Sequence, residues 1–173
     1  MDFNEQQIQR YARHILLDQI GGTGQATLLD SKVLVVGAGG LGSPVILYLA
    51  AAGVGTIGVI DDDVVDLSNL QRQIVHTTAS VGMAKVDSAE KTIRGINPDV
   101  KIIPIKDRIG PHNALDLMVD YDLVTDGSDN FPTRFLVNDA CYFAKKTLVS
   151  AAILRFDGQI YTFKPHEEDA DGS

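Results

Sequence analysis

The run Val33-Leu-Val-Val-Gly-Ala-Gly-Gly-Leu-Gly42 limits what this chain can fold into more than any other stretch. Four aliphatic residues lead straight into Gly37-x-Gly39-x-x-Gly42, and an alanine-rich apolar segment, Leu41 to Ala52, follows. That order is strand, glycine turn, helix. Glycines in such a turn let the backbone approach a phosphate closely, and the helix behind it offers free N–H donors and a positive dipole end. An acidic residue, Asp61, stands where a nucleotide fold places its ribose-binding carboxylate, about 20 residues past the turn.

The rest of the chain supplies the frame that the turn requires. Asn4 is suited to cap a first helix, with Gln7 completing a capping box. Ile8, Tyr11, Ala12, Ile15 and Leu16 give that helix an apolar stripe, and Gly21-Gly22 ends it. Gln25 to Leu29 reads as a short second helix before the first strand. Gly53 stops the helix after the glycine turn, and Thr56 to Ile60 is a strand running into Asp61-Asp62-Asp63. Lys85 opens a helix with Val86, Ala89, Ile93 and Ile96 inward, closed by Asn97-Pro98. Lys101 to Ile105 reads as a strand, Asn113 to Val119 as a short helix, and Tyr121 to Thr125 as a strand ending at Asp126-Gly-Ser-Asp-Asn130. Pro132 to Lys145 is helical and Thr147 to Ala151 extended. Ile153 to Phe156 and Gln159 to Phe163 then flank Asp157-Gly158, a hairpin signal.

Strands alternating with helices specify an α/β fold: a Rossmann-like, doubly wound, mostly parallel sheet with a C-terminal antiparallel hairpin. Ligands bind such sheets beyond the carboxyl ends of the strands. The glycine turn, Asp61 and Asp126 to Asn130 all fall there. No repeat, linker or low-complexity segment divides residues 1–173, so one domain is expected.

Composition excludes several classes of function. A net charge of -8 argues against general nucleic-acid binding and against a membrane surface, since both need a basic face. No apolar run approaches the ~20 residues that span a bilayer, and the N-terminus carries no signal-like segment. The expected compartment is the cytoplasm. The single cysteine, Cys141, excludes an internal disulfide framework and any zinc site built on several thiolates. It lies in an apolar helix and reads as a small buried hydrophobe. His14, His76, His112 and His166 show no metal-ligand spacing.

The turn and Asp61 suit NAD and ATP equally. An ATP-cleaving site needs further cations, and usually Mg2+, to neutralise the polyphosphate. Arg72, after the second strand, and Lys85, opening the next helix, lie near the mouth by topology, although solvated surface charge is the common fate of such residues. Asp129 is either a hard-cation ligand or an acid at a helix N-terminus.

Arg10-Tyr-x-Arg13-His-Ile-Leu-Leu17, Val35-Val-Gly-Ala-Gly-Gly-Leu-Gly42, Ala52-Gly-Val-Gly-Thr56, Asp61-x-Asp63, Leu67-Ser-Asn-Leu-Gln-Arg-Gln73, Asn97-Pro98, Asp126-x-x-Asp-Asn130 and Phe156-Asp-Gly-Gln159 occur in this order. Together they resemble the ThiF/MoeB/HesA family, bacterial relatives of ubiquitin-activating enzymes, over essentially the whole chain. The resemblance implies adenylation of the C-terminal glycine of a ubiquitin-like sulfur-carrier protein ending in Gly-Gly, of the thiamin or molybdopterin type. It implies that Gly37, Gly39, Gly40 and Gly42 receive the ATP phosphates, that Asp61 holds the ribose, and that Asn69, Arg72 and Lys85 contact the polyphosphate. Asp129 would hold Mg2+ with Asn130 beside it, and Arg13 would act across a homodimer interface on the partner's ATP. Relatives normally continue into a segment with Cys-x-x-Cys zinc ligands, which this sequence does not contain, and the chain is expected to be an N-terminal part. Three other readings stay open. One is a tRNA threonylcarbamoyl-adenosine dehydratase of the same family, one an NAD-dependent oxidoreductase, and one a non-catalytic nucleotide-binding or dimerisation module.

Overall fold

The computed structural model describes residues 3–167. They form one six-stranded sheet in the order β3-β2-β1-β4-β5-β6. In chain order the elements are α1 (Glu5–Ile15), α2 (Gly21–Asp30), β1 (Lys32–Val36), α3 (Gly42–Ala52), β2 (Thr56–Ile60), α4 (Lys85–Ile96), β3 (Lys101–Ile105), α5 (Ala114–Val119), β4 (Leu123–Asp126), α6 (Phe131–Ala144), β5 (Thr147–Leu154) and β6 (Asp157–Phe163). The first five strands pair in parallel and β6 pairs antiparallel with β5. This is the expected doubly wound, mostly parallel sheet.

β1 runs through the middle and is buried on both faces, which is why it reads as an unbroken aliphatic run rather than an alternating one. Its alternate residues serve different cores. Val33 and Val35 pack with Ile46 and Ala50 of α3 and Val86, Ala89 and Ile93 of α4. Leu34 and Val36 pack with Met118 of α5 and Val137, Ala140 and Cys141 of α6. Cys141 is buried, 3.7 Å from the Met118 sulfur, and burial pushes its thiol up to about 12, with the nearby Asp126 adding to the effect. A thiol so held has almost no thiolate at neutral pH.

Local signals held where one short segment decides the outcome. The Asn4–Gln7 capping box forms in both directions, and Gly53 closes α3 with φ 85°. Three expectations are corrected. Gly21-Gly22 does not end the first helix, which stops at Ile15. Gly21 begins α2 instead. The apolar stripe of α1 is only partly covered, since Tyr11 is buried while Ile8 and Leu16 are exposed, and Ile96 on α4 is exposed as well. Tyr11 is held because its hydroxyl accepts a hydrogen bond from the buried Asn97 amide, 86 positions away. The hairpin turn is Arg155-Phe156, not Asp157-Gly158. β5 continues to Leu154, which pairs with Asp157, and Arg155 takes a φ of 57°. The acidic end Asp169 to Ser173 lies outside the described residues.

Gly42 is obligatory for a packing reason. A Cβ there would lie 1.8 Å from the Gly37 carbonyl oxygen, whereas a Cβ at Gly40 would meet only the Arg72 side chain at 3.5 Å. Gly42→Ala is therefore expected to lower unfolding free energy by about 2–3 kcal/mol, and Gly40→Ala by less than about 1 kcal/mol. Urea denaturation of the two variants measures this, and equal losses would contradict it.

Candidate functional site

A cavity of about 560 Å³ opens at the carboxyl ends of β1, β2 and β4. Its floor is the glycine turn. Gly37 takes φ 90°, which an L side chain rarely adopts, and its N–H donates to the Ile60 carbonyl. The Ala38 N–H donates to Asp61 Oδ2 at 2.8 Å. Beyond it, the N–H groups of Gly39 and Gly40 make no hydrogen bond among the described residues, and both glycines line the cavity. Two successive free donors at the mouth of α3 form a seat for an anion.

The cations stand beside that seat. Arg72 is exposed, its methylenes rest on Gly40, and its guanidinium donates to the Asn69 side-chain oxygen at 3.2 Å. Asn69 does not line the cavity. Its oxygen accepts from both Arg72 and Gln73, so it orients groups that do. Lys85 is not a solvated surface charge. It is 5% exposed at the first position of α4, and its ammonium meets Asp63 at 2.8 Å. A helix N-terminus disfavours a cation, and burial adds to that cost, so the ion pair with the exposed Asp63 carboxylate offsets part of the cost of placing the ammonium at the cavity wall.

The opposite wall is the 126–130 segment. The buried Asp126 carboxylate accepts from the Ser128 N–H at 2.9 Å and from the Ser150 hydroxyl at 3.0 Å. Asn130 caps α6 by accepting from the Thr133 N–H. This anchored loop presents Asp129, exposed, with only the Asn130 amide near it at 3.4 Å among the described residues. Most of its lone pairs are free, which suits a hard cation that takes oxygen ligands. Asp61, Asp62 and Asp63 also cluster, with ligand atoms within 4.8 Å of one another. Asp61 is already committed to the Ala38 and Asp63 N–H groups and Asp63 to Lys85, so Asp129 fits Mg2+ better.

The structure thus brings Gly37, Gly39, Gly40, Asp61, Arg72, Lys85, Asp129 and Asn130 to one cavity. Gly42 is buried beneath the turn, and Arg13, exposed on α1, is not among the residues that line it. Residues not assigned from sequence also line it: Gln73, Asp107, Arg108, Ser128 and Arg134. Arg134 donates to the Ser128 carbonyl at 2.5 Å and so braces the Asp129 loop. Gln73 Oε1 and Ser128 Oγ are buried there without a hydrogen-bond partner among the described residues. Arg134 lies four residues past Asn130 on α6, one helical turn inward, and this spacing was the available clue.

Comparison with known proteins fits this geometry. The ThiF family model matches residues 11–170. The chain belongs to the ThiF family. The SAMP-activating enzyme E1 of Haloferax volcanii is 52% identical over 159 residues, which are 92% of this chain and 59% of that protein. The sulfur carrier protein adenylyltransferase of Thermus thermophilus is 48% identical over 163 residues, 94% of this chain and 60% of that one. Among solved structures, Escherichia coli tRNA N6-threonylcarbamoyladenosine dehydratase, TcdA, in complex with ATP, superposes with a TM-score of 0.81 at 30% identity, covering 87% of this chain and 61% of that one. This ThiF-family chain therefore spans about 60% of the length of such relatives.

If Lys85 serves an anion rather than the fold, Lys85→Met will keep the chain at least as stable in urea, because an apolar side chain of similar length suits a buried position. It will weaken binding of inorganic tripolyphosphate by about tenfold or more. Unchanged tripolyphosphate affinity would remove the anion role.

Proposed function

We propose that this chain is the ATP-binding adenylation part of an enzyme that activates the C-terminal glycine of a ubiquitin-like sulfur-carrier protein ending in Gly-Gly. The observation that carries the reading is the grouping, around one anion seat, of two free backbone donors, Arg72, the buried Lys85 and the available carboxylate of Asp129. A pyrophosphate alone, as in NAD, is served by helix N–H groups. Two added cations and a hard-metal ligand suit a triphosphate whose charge must be neutralised as a bond breaks. Identities of 48–52% to relatives named as a sulfur-carrier adenylyltransferase and a SAMP-activating enzyme support the same chemistry. The ATP complex of a 30% identical neighbour supports the nucleotide.

In this reading the carrier's carboxylate oxygen attacks the α-phosphorus of ATP, the bond to the β,γ-phosphates breaks, and pyrophosphate leaves with an acyl-adenylate remaining. The nucleophile is already an anion at neutral pH, so no general base is needed. Catalysis is positioning and charge neutralisation. The Gly39 and Gly40 N–H groups seat phosphate oxygens, and Arg72 and Lys85 balance charge on the leaving pyrophosphate. Asp61 keeps lone pairs for ribose hydroxyls beyond the two backbone N–H groups it already holds. Mg2+, held by Asp129, would supply further positive charge at the polyphosphate. Arg13, exposed on α1, is assigned to a partner's site across a homodimer, and Asn69 acts through Arg72. Thiamin-type and molybdopterin-type carriers fit equally.

The test is pyrophosphate–ATP exchange with a panel of Gly-Gly-ending carriers and with tRNA. Exchange is expected only with a carrier, and calorimetry is expected to give Mg–ATP at least tenfold tighter than NAD. Turnover with tRNA alone would transfer the chain to the dehydratase reading, and equal NAD affinity would sink the ATP site. Asp129→Asn is expected to cut exchange on the order of 100-fold while metal-free ATP affinity stays within about twofold. Equal losses would count against a metal role.

A further inference from the structure

The histidine His76 lies outside the cavity lining, is 6% exposed, and has both ring nitrogens committed. Nε2 is 2.9 Å from the Ala38 carbonyl oxygen, and Nδ1 is 2.9 Å from the hydroxyl of Ser88, which is fully buried on α4. A carbonyl only accepts, so Nε2 carries the proton and Nδ1 accepts from Ser88. Burial holds the imidazole below the usual histidine range. The Ala38 bond and Asp61 oppose that shift and Lys85 adds to it, so the ring is neutral at pH 7.

The peptide that His76 grips joins Ala38 to Gly39, and it is trans, as all described peptides are. In a trans peptide the carbonyl and the following N–H point in opposite directions. A carbonyl turned back toward a buried imidazole therefore turns the Gly39 N–H forward, into the cavity that Gly39 lines. The other polar group of Ala38, its N–H, is held by Asp61. Without His76 the carbonyl would be buried and unpartnered, since Ala38 is fully buried, and the peptide would gain by rotating. Rotation would present a carbonyl to the phosphates instead of a donor. The Ser88 bond ties the same ring to α4, the helix that carries Lys85, so the backbone donor and the buried cation share one brace.

We propose that His76 is a positioning residue for phosphate binding: it sets the orientation of the Ala38–Gly39 peptide and registers the glycine turn against Lys85. This role rests on the ATP-site reading given above. It is not a catalytic role, because the ring reaches the ligand only through the backbone.

Calorimetry of the chain with ATP and with adenosine separates the possibilities. His76→Phe preserves ring volume and removes both bonds. It is expected to lower ATP affinity about tenfold or more while adenosine affinity stays within about twofold. His76→Gln returns an N–H near the Nε2 position and is expected to recover most of the loss. Parallel losses for ATP and adenosine, no loss for either, or a Gln variant as weak as Phe would overturn the proposal. A wild-type chain that does not bind ATP would remove the nucleotide reading and this role with it. Wild-type binding with an unaffected Phe variant would remove this role alone. Should His76→Phe fail to fold, nitrogen-15 spectra of the wild type decide. The Nε2–H tautomer and a Gly39 amide shift on adding ATP but not adenosine are expected. A different tautomer, or a Gly39 amide indifferent to ATP, overturns it.

Discussion

The site exists because the chain leaves neighbouring strands in opposite directions. From β1 it turns to α3 on one face of the sheet, and from β4 it turns to α6 on the other. No helix covers the place between the two exits, so a crevice opens there. The crevice has a fixed floor because Gly42 sits on the Gly37 carbonyl, an approach that no side chain at position 42 permits. Every functional group of the cavity is placed with respect to that contact.

Charge is arranged around the floor with different rigidities. Lys85 is buried and paired, so its ammonium is held in place before any ligand arrives. Arg72 is exposed, with its guanidinium held by Asn69 and its methylenes lying over Gly40. Such a pair gives one preorganised charge and one adjustable one, which suits a polyphosphate whose leaving group must depart. Across the cavity, Asp126, Asn130 and Arg134 hold the backbone around Asp129 while its carboxylate takes one long bond from the Asn130 amide. Apart from that one long contact, their bonds serve the loop, so most of the carboxylate stays available to a metal.

Legibility in the sequence followed the range of the interaction. β2 and β3 lie where the sequence places them because short isoleucine-rich runs between polar segments are local signals. The Arg155-Phe156 turn was missed because β5 and β6 pair through Leu154 and Asp157, and cross-strand register overrode the Asp157-Gly158 turn preference. The burial of Lys85 was not legible from its neighbours in sequence, because its ion-pair partner Asp63 stands 22 positions earlier. His76 carried no signal beyond its lack of metal-ligand spacing because its partners, Ala38 and Ser88, stand 38 and 12 positions away.

By itself the sequence determined the alternation of strands and helices, the glycine turn after β1 and the gathering of Asp61 and the 126–130 segment at one end of the sheet. These follow from local periodicity and from the handedness of parallel connections. Only the tertiary structure decided which polar groups are buried, which are spent on the fold and which remain free for a ligand. That outcome depends on contacts between residues far apart in the chain, as when one imidazole turns a peptide so that its donor faces the cavity.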